Sequence, residues 1–260
     1  MPSSLFYERL GEGPDIVFLH GLYGAGRNWR TVAQALAPAW RSLLPDARNH
    51  GRSFHSPEMD YMAMAADLEQ LLTEQEIAQA IVIGHSMGGK TALTFAQHYP
   101  ARVRGLMLVD IAPRAYPAQF HHQVLTRLLA LDLATLTGRT EADHALCEAI
   151  PDPAVRAFLL ANLTRVSGRW HWRLNLPVLL ASLDTLTGAL PPPPQPLAAE
   201  FPVQIVAGGH SDYVQAEDAT LFAAWLSAPE IVTIEGAGHW VHTDQPAAFQ
   251  ACLQAFLQRC

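Results

Sequence analysis

Ala80-Ile81-Val82-Ile83-Gly84-His85-Ser86-Met87-Gly88-Gly89-Lys90-Thr91 is an apolar run, rich in β-branched residues, that meets a glycine, a serine and two more glycines. Behind it, Ala92, Leu93, Phe95 and Ala96 fall at helical spacing. The order predicts a strand, a tight turn and a helix. Gly84-His85-Ser86-Met87-Gly88 fits G-x-S-x-G, the turn in which a serine is held in a strained backbone conformation above the end of a sheet. Small residues two before and two after the serine are required because the strand and helix backbones crowd together there.

The same letters support a second reading. Gly84 to Thr91 also spells G-x-x-x-x-G-K-T, the phosphate-binding P-loop, and Leu106-Met107-Leu108-Val109-Asp110 could serve as its magnesium-binding strand. A serine nucleophile and a nucleotide cradle belong to different enzyme classes, so the rest of the chain arbitrates.

Working outward, Leu5 to Leu10 and Asp15 to Leu19 flank Gly11-Glu12-Gly13-Pro14 and read as a hairpin. Ile16-Val17-Phe18-Leu19 runs into a glycine-rich loop, His20-Gly21-Leu22-Tyr23-Gly24, whose backbone N–H groups could face an anion. A helix is expected over 27–37 and a strand over 41–45, followed by Asp46-Ala47-Arg48-Asn49-His50-Gly51-Arg52-Ser53. Tyr61, Met64, Leu68, Leu71 and Leu72 mark an amphipathic helix ahead of the elbow, and 105–110 is the next buried strand. This alternation predicts an α/β fold, a mostly parallel, doubly wound sheet.

From residue 111 to about 196 strand-like runs disappear. Helical segments are expected over 121–131, 140–149, 153–163 and 176–183; the stretch also contains Phe120, Phe158, Trp170 and Trp172 and closes on Pro191-Pro192-Pro193-Pro194. At roughly 85 residues it far exceeds an ordinary connection within such a sheet. It predicts a helical cap over 113–196, with 1–112 and 197–260 forming the core. Its aromatic residues are expected to shape an apolar pocket. The α/β pattern then resumes with strands at 203–207 and 230–234, a helix through Leu221 and Trp225, and a last helix over 247–258.

Composition bounds the function. The 260 residues are 50% hydrophobic and 16% charged, enough for a sizeable core, and the net charge of -7 lacks the basic stripe that nucleic acid requires. Cys147, Cys252 and Cys260 are an odd number without C-x-x-C spacing and read as reduced thiols. Met1-Pro2-Ser3-Ser4-Leu5-Phe6-Tyr7-Glu8 has no basic stretch followed by an apolar one, so no leader is expected, and with no apolar run of about 18 residues no membrane span is expected. A cytoplasmic location is the expectation. The histidines show no metal-ligand spacing, so no metal is expected.

Ester hydrolysis needs a nucleophile, a base, a group that orients the base, and oxyanion donors. Ser86 supplies the first and His239, in Gly236-Ala237-Gly238-His239 after the last strand, the second; His242 is a weaker rival. The N–H groups of Leu22 and Met87 are the expected oxyanion donors. Over nearly its whole length the chain resembles the α/β-hydrolase superfamily: His20-Gly21-Leu22 is similar to its oxyanion loop, Asp46 to Ser53 to its D-x-R-x-x-G-x-S block, and Gly236 to His239 to its base loop. Arg48-Asn49-His50-Gly51, Gly84 to Lys90, Val109-Asp110-Ile111-Ala112-Pro113 and Gly238-His239-Trp240-Val241-His242 resemble the YbfF-type esterases. That resemblance implies a serine carboxylesterase for short- to medium-chain acyl esters or thioesters, with no cofactor. Carbon–carbon bond hydrolases and lyase-like members share the serine triad and are the rival chemistry. The P-loop reading loses, since it leaves the loops at His20, Asp46 and His239 without a role.

The orienting acid has two candidates. Most of the superfamily carries it three residues beyond the glycine that ends the penultimate strand; from Gly208 that is Ser211, with Asp212 one residue out of phase. Asp110, ending the strand after the nucleophile helix, is the other position, and the YbfF-type resemblance favours it, with Ser211 as an auxiliary hydrogen-bonding group. Physiological substrate, chain length and oligomeric state are not legible at this level.

Overall fold

The computed structural model describes residues 4–227 and 229–260; Ala228, and Met1, Pro2 and Ser3 from the stretch expected to hold no leader, lie outside the described residues. The core elements are β1 (Tyr7–Leu10), β2 (Asp15–Leu19), α1 (Arg30–Leu36), β3 (Arg41–Pro45), α2 (Tyr61–Glu74), β4 (Ala80–His85), α3 (Met87–His98) and β5 (Val103–Val109). After an intervening segment come β8 (Val203–Gly208), α9 (Asp218–Trp225), β9 (Glu230–Ile234), α10 (Val241–Asp244) and α11 (Pro246–Leu257). The seven strands lie in the order β1-β3-β2-β4-β5-β8-β9. All pair in parallel except β1, which runs antiparallel to β3.

Alternation along the buried strands sets the layers. Val17, Leu19, Val82, Leu106 and Leu108 point to the face covered by α2, α3 and α9, while Ile16, Phe18, Ile81, Ile83, Met107 and Val109 meet α1 and α11. Both faces are therefore filled, which is why β4 is apolar along its length.

Two expectations are corrected. β1 and β2 do not form a hairpin: the crossover β2–α1–β3 lays β3 beside β2, as Ile16 opposite Ser42 and Val17 opposite Leu43 show. β1 is left to pair on the outer side of β3. Its half-buried residues suit an edge, whereas the buried β2 needs a neighbour on each side. Second, residues 113–196 are not purely helical. They hold α4 (Gln119–Leu129), α5 (Arg139–Leu146), α6 (Pro153–Leu160), α7 (Leu176–Ala181) and α8 (Leu183–Thr187), but also β6 (Leu163–Val166) paired antiparallel with β7 (Arg169–Trp172). Ser167 and Gly168, at φ 48° and 82°, make the two-residue turn. Ser-Gly between two short β-rich runs was the signal in the sequence, masked by the surrounding helical periodicity. The insertion leaves after β5 and returns before β8; Leu190 N–H to Pro113 O (2.9 Å) and Tyr116 N–H to Thr187 O (2.8 Å) join its two ends.

Candidate active site

Ser86 sits between β4 and α3 at φ 52°, ψ -119°. Such a conformation costs a non-glycine residue on the order of 1–3 kcal/mol and survives only where its surroundings dictate it. Here they do: a Cβ on Gly84 would stand 2.1 Å from Gly88 O, and one on Gly88 would stand 2.4 Å from Leu19 O. Only glycine lets the strand, the turn and the neighbouring strand end approach so closely. Ser86 O accepts from Gly89 N–H (2.8 Å) and Lys90 N–H (3.1 Å), fixing the first turn of α3.

Asp110 also has positive φ (50°) and is fully buried. Its Oδ1 accepts Gly208 N–H at 2.9 Å, and its Oδ2 accepts Ser211 Oγ–H at 2.5 Å and the His239 Nδ1–H at 2.8 Å. Asp212, by contrast, is exposed, and among the described residues its carboxylate has no hydrogen-bond or ion-pair partner; only its backbone carbonyl is used, by Arg114 (2.7 Å). The structure thus brings Asp110, Ser211 and His239 together and leaves Asp212 apart. The His239 ring stacks on Tyr213 at 3.7 Å between centroids. With Nδ1 donating to Asp110, its Nε2 is left as an acceptor. Ser86 and His239 line one cavity, yet among the described residues Ser86 Oγ makes no hydrogen bond. Hydrogen bonds between catalytic groups are often long or misaligned until substrate tightens them.

The loop 20–24 lies against the elbow: a Cβ on Gly21 would be 3.3 Å from Ser86 Cβ. Leu22 and Met87 both line the cavity, and among the described residues neither backbone N–H donates to a protein acceptor. Two unspent donors beside a serine are what an oxyanion requires. Neutral histidines brace this loop. His20 donates from Nδ1 to Gly21 O (2.8 Å) and accepts Ala47 N–H on Nε2 (2.9 Å). His50 donates to Arg48 O (2.9 Å) and accepts Tyr23 N–H (3.3 Å). Burial holds their pKa values down to about 4 and about 3.

Sequence reasoning gave no role to His85. Its Nε2–H donates to His239 O at 2.8 Å, tying the elbow to the base loop, and burial keeps it neutral. His242, the expected rival, is buried against Trp29, its ring centroid 4.2 Å away, and among the described residues its side chain makes no hydrogen bond or ion pair with an acid. Lys90 holds no phosphate cradle. Its buried ammonium donates to Arg114 O (2.9 Å) and Gly188 O (2.6 Å), where the insertion leaves and rejoins the core. Burial, helped by Arg114, lowers its pKa to about 7.

The cavity has a volume of about 410 Å³. Its outer wall comes from the insertion, including Phe120, Val124, Phe158 and Leu186. Trp170, expected with them, is elsewhere: its indole N–H donates to Leu136 O (3.0 Å), between the guanidinium groups of Arg139 and Arg165.

Residues 14–118 match the family described as alpha/beta hydrolase fold. The chain is 37% identical over 251 residues to the sn-1-specific diacylglycerol lipase ABHD11 of Mus musculus, covering 94% of this chain and 81% of that one. It is 33% identical over 242 residues to Esterase YbfF of Escherichia coli (strain K12), covering 93% and 92%. Among solved structures, a marine microorganism esterase superposes with a TM-score of 0.94 at 34% identity, covering 98% and 99% of the two chains. No helix among the described residues is long and apolar enough to cross a membrane.

Proposed function

The chain belongs to the α/β-hydrolase superfamily, among relatives named esterases and lipases, and from that premise we propose that it is a serine carboxylesterase working through an acyl-enzyme on Ser86. The observation that carries the reading is the Asp110–His239 pair at 2.8 Å, in the cavity that also holds the strained Ser86. Ser86 Oγ attacks the ester carbonyl as His239 Nε2 takes its proton, and Asp110 stabilises the imidazolium that forms. The N–H groups of Leu22 and Met87 receive the negative oxygen. His239 then protonates the departing alcohol or thiol, and a water activated by the same imidazole releases the acid.

The cavity supports a substrate class. A space of about 410 Å³ is at the small end of ligand pockets, and its apolar wall suits a short or medium acyl chain, on an ester or a thioester. Residues 113–196 act as a cap that sets chain length. The reading is tested with a fluorophosphonate probe and p-nitrophenyl butyrate: the wild type is labelled and hydrolyses the ester, and Ser86→Ala does neither. Labelling or turnover that survives in Ser86→Ala removes the proposal.

A further inference from the structure

Gly24 N–H donates to Gly21 O (2.9 Å), so Gly21 to Gly24 is a β-turn with Leu22 and Tyr23 at its centre. Tyr23 has φ 65° and Leu22 does not share a positive φ, the type II arrangement, which normally takes glycine or asparagine at the third position. A tyrosine there costs roughly 1–2 kcal/mol and must be held from outside. Core and insertion each supply a hold. His50 accepts Tyr23 N–H from the core side, and the insertion's Asn162 donates from Nδ2 to Tyr23 O (2.8 Å). Asn162 is fully buried, and because its Nδ2 also meets Leu159 O (3.2 Å), two carbonyl acceptors fix the amide's orientation.

The neighbouring loop repeats the device. Asn49, at φ 63° and fully buried, is held by Asn175: the Asn175 N–H donates to Asn49 O (3.0 Å) and its Nδ2 to Asn49 Oδ1 (2.9 Å). Asn162 and Asn175 flank the β6–β7 hairpin, whose base is closed by Arg173 N–H to Asn162 O (2.9 Å). The bonds make a circuit from the hairpin base through Asn49, His50 and Tyr23 and back to the hairpin base. We infer that Asn162 and Asn175 are positioning residues for the oxyanion side of the site, reaching from the insertion to set the turn that aims Leu22 N–H. The inference rests on the proposed role of that N–H. It makes the insertion part of the transition-state machinery as well as a wall for the acyl chain.

The test compares Asn162→Asp, which keeps the shape but loses the donor, and Asn175→Ala with wild type, well below the melting temperature of each. On p-nitrophenyl butyrate, Asn162→Asp is expected to lose about 10- to 100-fold in kcat with little change in KM, the loss typical of a misplaced catalytic group. Asn175→Ala, which keeps its backbone bond to Asn49, loses less. The inhibition constant of a trifluoromethyl ketone, which forms the tetrahedral oxyanion, should rise in step with the loss in kcat/KM, while that of butyramide stays put. A purely structural role would lower Tm and leave kcat and the ketone's inhibition constant within twofold of wild type; that result overturns the inference. If Asn162→Asp does not fold, the same two readouts in Asn175→Ala decide it. Ser86→Ala runs in parallel: if it retains activity, the serine mechanism itself is wrong, whereas an inactive Ser86→Ala beside fully active asparagine variants sinks this inference alone.

Discussion

Asp110 accepts three hydrogen bonds on its two carboxylate oxygens, from Gly208, Ser211 and His239, and no water can replace them at a fully buried site. An amide there turns one acceptor into a donor and leaves the imidazole with the wrong tautomer. Asp110→Asn is therefore expected to lose on the order of 10⁴-fold in kcat, as the equivalent change does in serine proteases. Asp212→Asn, altering an exposed carboxylate, should stay close to wild type. Ser211→Ala removes one of the three donors and should fall between them. The check is kcat on one activated ester after circular dichroism confirms folding; an inactive Asp212→Asn would contradict the assignment. Of the six non-glycine residues with positive φ among those described, Tyr23, Asn49, Ser86 and Asp110 all belong to the site or its supports. Strain is concentrated where geometry matters.

At the scale of elements, the insertion divides its aromatic residues between two jobs. Phe158 lines the cavity and packs edge-on to Trp240 at 5.8 Å, so Phe158→Ala should lengthen the preferred acyl chain in a p-nitrophenyl ester series. Trp170→Ala should leave that preference alone and lower Tm, because its ring joins Arg139, Arg165 and Leu136 away from the cavity. A shifted chain-length profile in Trp170→Ala would show that the hairpin reaches the substrate. The loop after β3 is anchored to α2 by a two-bonded pair, Arg48 Nε and Nη2 to Asp67 at 2.7 and 2.8 Å, with both side chains buried. Removing one partner of such a pair strands the other, and Asp67→Ala should cost about 3 kcal/mol in urea unfolding, near the lower bound because Arg48 keeps bonds to Glu58 O and Ala63 O. The Gly84 to Thr91 turn closes tightly on Gly88, and Lys90 is occupied by two carbonyls, so titration with Mg·ATP should give no binding heat.

Across the described residues, four buried histidines and the half-buried His121 resist protonation. Burial lowers His20, His121 and His242 to about 4, His50 to about 3 and His85 well below its ordinary 6.5. Between pH 6.5 and about 4 the unfolded chain takes up protons that the folded protein refuses, so stability is full above the upper value and falls with pH across that window. Each pH unit in which one such histidine is charged only in the unfolded chain removes about 1.4 kcal/mol. Tm measured from pH 8 to 4 should be flat above about 7 and drop steeply below 6; a flat profile down to pH 4 would show that these rings protonate in place. The sequence alone determined the alternating α/β order, the elbow and the loops that carry Ser86, His239, Leu22 and Met87, because local spacing and backbone demands act within a few residues. It narrowed the acid to two positions. The resemblance favoured Asp110 of the two, but the contact itself is a tertiary one, as Asp110 and His239 follow separate strands brought together by the β5–β8–β9 order. The same holds for β1, whose partner is set by the β2–α1–β3 crossover, and for Asn162 and Asn175, ordinary polar letters until folding places them beneath Tyr23 and Asn49. Pairings between distant segments depend on how the layers stack, and no spacing along the chain records that.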